Sequence, residues 1–112
     1  MLLKFKNPVF NNGVNVTVRR GIRWSLTDEP ELGFPVVNTN DPIKDDGQDK
    51  IIGFAGIIDR KVIRFCDIKE TMICDEHDPK CKTYLGLFEV MKQVYNDFDE
   101  DEIVTVLKFN FT

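Results

Sequence analysis

Apolar and polar positions alternate with period two over two separated stretches. Val14, Val16 and Val18 alternate with Asn15, Thr17 and Arg19. Near the other end, Val104, Val106, Lys108 and Asn110 alternate with Ile103, Thr105, Leu107, Phe109 and Phe111. Both read as strands. Between them the period changes. Leu87, Val90, Met91 and Val94 recur at three and four residues, which predicts an amphipathic helix over 83–95 with Thr83 as its cap. Asp67 with Glu70 three residues on has capping-box spacing and predicts a short helix through Cys74, with Ile68 and Met72 inward and a break at Asp78-Pro79.

Shorter signals fill the remainder. Strands are predicted at Leu3–Lys6, Phe34–Asn38, Lys50–Ile58 and Lys61–Phe65, the last two joined by a turn at Asp59-Arg60. Pro8 and the Asn11-Asn12-Gly13 turn leave room for one helical turn. Residues 25–33 read as a loop, and 39–49 as a polar, acidic loop between strands. Gly53 and Gly56 point to a bulge or a close backbone approach. The sum is about six strands, with two helices grouped before the last one. That order predicts an α+β fold, a small mixed β-barrel with two flanking helices, formed by residues 1–112 as one domain.

Charge changes the picture at one place. The chain has 112 residues and a formal net charge of -4. Yet residues 1–24 carry Lys4, Lys6, Arg19, Arg20 and Arg23 and no acid. The acidic total argues against bulk binding to a polyanion, while the asymmetry supports a local anion site. Asn15, Thr17 and Arg19 share a strand face and offer an amide, a hydroxyl and a guanidinium to a planar polar ligand or a phosphate. The plainer reading of that row is a solvated strand face. Trp24, beside Arg23, reads either as a stacking surface for a base or as a core aromatic.

Composition bounds the class. No apolar run has the length of a membrane span, and the opening residues do not read as a signal peptide. Three cysteines fit a reducing, cytoplasmic setting. All three, with the single histidine, fall in one segment as Cys66, Cys74, His77 and Cys81. These are zinc-type ligands, but paired spacings such as C-x2-C are missing, and Cys66 at a strand end is ordinary core. No cofactor is expected.

Two blocks carry a family resemblance. One is Gly13-Val14-Asn15-Val16-Thr17-Val18-Arg19-Arg20. The other runs from Phe65-Cys66-Asp67-Ile68-Lys69-Glu70 through Leu87 and Tyr95 to Ile103-Val104-Thr105-Val106-Leu107-Lys108-Phe109. In order and separation they resemble the ASCH domain family of the PUA-like superfamily. The resemblance implies a barrel with a cleft between sheet and helices, and an association with RNA and with nucleoside or modified-base ligands. One branch is an acetylcytidine amidohydrolase. Thr17 matches its threonine and Glu76 its glutamate, which implies catalytic roles for both. Its lysine has no match, because the corresponding place is Asn15 or Val14. The resemblance therefore favours binding of RNA or a nucleotide-like ligand through Asn15, Thr17, Arg19, Arg20, Arg23 and Trp24. Two other readings are an amidohydrolase acting on an acetylated cytidine and a phage-type interaction protein that turns its acidic surface to a host protein.

Overall fold

The computed structural model describes residues 1–6, 8–39 and 50–112. The acidic loop expected at 39–49 lies outside the described residues apart from Thr39. Strands β1 (Leu3–Phe5), β2 (Val14–Arg20), β3 (Phe34–Asn38), β4 (Lys50–Arg64) and β5 (Ile103–Phe111) form one sheet in the order β1-β3-β4-β5-β2. β1 runs parallel to β3, and the other neighbours are antiparallel. Helices α1 (Arg23–Leu26), α2 (Glu70–Ile73) and α3 (Tyr84–Val94) are joined by 3-10 turns at Phe65–Asp67 and Pro79–Lys82. This is an α+β fold.

The sheet curls into a half-barrel. Its two edge strands come close enough for Arg19 Nη1 of β2 to donate to the Lys4 carbonyl of β1 at 2.7 Å. Bulges in β4 account for part of the curl, since an extra residue bends a strand and raises its twist. Val36 pairs with Gly53 and Val37 with Ile51, so Ile52 is extra. Ile57 pairs with Phe109 and Asp59 with Lys108, so Ile58 is extra. The expected turn at Asp59-Arg60 is thus a bulge inside one continuous strand. Five strands are present among the described residues where about six were expected. Gly53 has the close approach its sequence position suggested: a Cβ there would lie 2.5 Å from the Phe111 ring.

The curl creates two cores. On the outer face, Val16, Val18, Val104 and Val106 pack with Phe65, Ile68, Ile73, Cys81, Leu87, Met91 and Phe98. On the inner face, Leu3, Phe5, Trp24, Phe34, Val36, Ala55, Leu107 and Phe109 pack together. Alternation in β2 and β5 therefore sorts residues between two buried compartments rather than between core and water. Thr83 caps α3 as expected, its hydroxyl accepting from Gly86 N at 3.2 Å. Asp67 does not cap α2. It ends the preceding 3-10 turn, and extended Lys69 occupies the cap position without a side-chain bond.

Candidate functional site

The site forms where the inner face of β2 meets the segment that leaves α2. Gly13 adopts φ +101°, a left-handed conformation that glycine takes without strain, and turns the chain into β2. Asn15 holds that turn. Its Oδ1 accepts from Asn11 N at 2.7 Å, and its Nδ2 donates to the carbonyls of Asn11 (3.2 Å) and Gly13 (3.3 Å). The fully buried Asn15 amide is therefore spent on local backbone. Residues 75–76 then line the free edge of β2. Val16 N donates to the Asp75 carbonyl at 3.0 Å, Val16 and Glu76 form a parallel bridge, and Asn11 Nδ2 donates to the same carbonyl at 2.9 Å.

Arg19 and Thr17 project from the same face of β2. Arg19 Nε donates to Thr17 Oγ1 at 3.2 Å, and the guanidinium carbon sits 4.5 Å over the centre of the Phe5 ring. Both hydrogen-bond partners of Arg19 are neutral oxygens. Among the described residues no carboxylate lies within ion-pair distance of it. Burial pushes its pKa below the ordinary arginine value, while Tyr95 and Glu76 act in the opposite direction.

Glu76 supplies the negative charge nearby. Its side chain is 3% exposed, and Oε1 lies 2.5 Å from His77 Nδ1. That oxygen also accepts from Asp78 N at a long 3.4 Å. The His77 ring meets Phe5 edge-on at 4.9 Å and lies tilted against Phe10 at 5.4 Å. Its Nδ1 is buried, yet Glu76 lies off the line a ring N–H needs, so the contact is an ion pair only when the imidazole is protonated. Thr17 and Arg19 are thus in direct contact, and Glu76 is linked to them through His77 and the Phe5 ring, with Phe10 alongside.

The other expected ligand residues lie elsewhere. Arg20 points to the opposite face. It binds Glu102 at 2.6 Å and Asp97 at 2.9 Å and lies over Tyr95. Those carboxylates raise its pKa, and Arg20 in turn lowers that of Asp97. Arg23 is exposed at the start of α1. Trp24 is buried, 4.9 Å from the Phe34 ring in an edge-on arrangement, so it is a core aromatic and no stacking surface.

The cysteines and His77 form no ligand set. Among the described residues no group of three or more His, Cys, Asp or Glu side chains is placed to hold a metal. Cys66 and Cys74 are exposed, and Cys74 Sγ donates to the Thr71 carbonyl. Cys81 is buried in the outer core, where burial, Glu76 and Asp78 push its thiol up to about 12.

Sequence reasoning placed His77 with the cysteines and so missed it as a partner of Glu76. The available signal was its adjacency to the one glutamate already assigned to the site. No family model, no curated protein and no solved structure matches this chain.

Proposed function

We propose that this half-barrel is an ASCH-like domain that binds RNA or a nucleotide-like ligand between the edge strands and the Asp75–His77 segment. The observation that carries the reading is Arg19. Among the described residues this half-buried guanidinium hydrogen-bonds only to neutral oxygens, and no carboxylate is bonded to it directly. A phosphate or carbonyl oxygen binds such a cation through a charge-assisted hydrogen bond. Phe5 is a core ring under the guanidinium, while the partly exposed Phe10 and His77 rings offer an apolar edge to a planar base.

Binding fits better than hydrolysis. Thr17 Oγ1 accepts from a permanently protonated guanidinium, and the sequence has Val14 and Asn15 where the hydrolase branch has its lysine. A threonine hydroxyl without an adjacent base is a weak nucleophile. Docking through the acidic run at 97–102 fits less well too, because that run is tied into its own turn. Arg20 holds Asp97 and Glu102, and Tyr84 donates to Glu100. Asp99 and Glu102 accept from backbone amides of the same turn.

Fluorescence anisotropy with a short labelled single-stranded RNA, alongside calorimetry with nucleoside monophosphates, tests the proposal. The expected result is saturable binding that weakens with salt, with a log–log slope of about −0.7 per phosphate contacted. No deacetylation of acetylcytidine is expected. Absence of binding by RNA and every nucleotide, or robust deacetylation, contradicts the reading.

A further inference from the structure

We propose that His77, in its protonated form, is the second cation of this site, so that ligand binding takes up a proton and favours phosphate-bearing ligands over neutral nucleosides. The inference rests on the binding function proposed above. Its basis is the geometry around the ring. His77 Nδ1 is buried 2.5 Å from Glu76 Oε1, and the side chain is 9% exposed. Among the described residues neither ring nitrogen has a hydrogen bond. A buried imidazole nitrogen without an in-line partner is unusual in a folded protein.

The local charge count depends on this one group. With neutral imidazole, the charges of Arg19 and Glu76, which act on each other across the site, sum to zero. With imidazolium, the Glu76 charge is matched by His77, and Arg19 is left uncompensated. Protonation thus turns a neutral recess into a cationic one. Among the described residues the surrounding titratable groups are few, the Cys81 thiol near Glu76 and the Tyr95 phenol near Arg19 included. Lys4 and Lys6 flank Phe5 on β1, Asp75 and Asp78 flank the pair on its own segment, and Arg19 comes from β2. The stretch from Pro8 to Gly13, which contributes Phe10, has no titratable side chain. Lys108, beside Phe109 on β5, lies on the opposite face of its strand.

The chain has a single histidine, so its ring C–H resonances need no assignment by mutation. The experiment titrates them by NMR from pH 5 to 8, with and without a tetranucleotide RNA lacking terminal phosphates. The charge of this probe is constant over that range. Calorimetry with wild type and His77→Gln follows affinity over the same range. Linkage predicts a higher titration midpoint in the complex and an affinity that falls up to about tenfold per pH unit once the imidazole is neutral. His77→Gln should bind weakly and without that dependence. An identical midpoint in both states, or wild-type affinity that does not change with pH, overturns the proton-linked role and leaves the binding function standing. No binding of the RNA at any pH overturns both.

Discussion

Replacing Arg19 by methionine separates what the guanidinium does for the fold from what it does for a ligand. Methionine keeps most of the stem against Phe5 but removes the charge. Two hydrogen bonds go, from Nη1 to the Lys4 carbonyl and from Nε to Thr17 Oγ1. Bonds to a charged group contribute about 1.5–3 kcal/mol each. The stack over Phe5 contributes about 0.5–1 kcal/mol more. Against this stands the relief of a half-buried cation with no directly bonded carboxylate among the described residues, roughly a few kcal/mol on the scale of buried ions. The lowered pKa of Arg19 shows that burial opposes its charge. The opposing contributions nearly cancel, so Arg19→Met should destabilise the protein by no more than about 2 kcal/mol. With an m-value near 2 kcal/mol/M, that is a urea midpoint shift of about 1 M or less. RNA affinity should fall at least about tenfold, one charge-assisted bond or more. Urea unfolding followed by circular dichroism, with anisotropy on the same samples, makes both measurements. A stability loss of about 4 kcal/mol or more would refute the desolvation argument. Unchanged RNA affinity would refute the role of the guanidinium.

Other outcomes follow from single contacts. Gly86→Ala drives a Cβ into the Lys80 carbonyl and to 3.0 Å from the capping Thr83 hydroxyl, so it should lower stability by about 1–3 kcal/mol in thermal unfolding. An unchanged midpoint would show that the 3-10 turn before α3 is free to move. Native protein should react with a thiol reagent at Cys66 and Cys74 but not at buried Cys81, which labels only after denaturation, as read by mass spectrometry. The carboxyl of Asp97 is held below its ordinary range by Arg20, so its contribution is present above the unfolded pKa and is lost as pH falls through the folded one. Asp97→Asn should therefore lower stability slightly on the neutral side and flatten the fall below about pH 4, where the wild type loses this contribution.

The sequence pattern was enough for three elements of very different length. The strands at Phe34–Asn38 and Ile103–Phe111 have the expected bounds, and α3 differs by one residue at each end. Asp59-Arg60 misled because a polar pair inside an apolar run looks like a turn. In the structure its polarity is satisfied within the strand: Asp59 stands opposite Lys108, and Arg60 Nη1 donates to the carbonyls of Trp24 and Thr27. Strand parity put Thr17 and Arg19 on one face, and it equally separates Arg19 from Arg20, although the two were grouped by adjacency. What the pattern could not show is that the polar face turns inward. That follows from curl and from Arg19 reaching β1, a contact between residues 15 apart that no local pattern encodes. Likewise, nothing in the sequence between Asp75 and His77 announces that this segment lies along the edge of β2.

The central claim is that a nucleotide-like ligand sits against Arg19, between the edge strands and the Asp75–His77 segment. Chemical-shift mapping of backbone amides and the Arg19 Nε–Hε group during RNA titration tests it most directly. The account predicts saturable shifts at Phe5, Phe10, Thr17, Arg19, Glu76 and His77, with the Arg19 Nε–Hε signal moving as the guanidinium gains an anionic partner. Shifts centred instead on Arg20, Asp97 and Glu102, or none at Arg19 under saturating RNA, would contradict it.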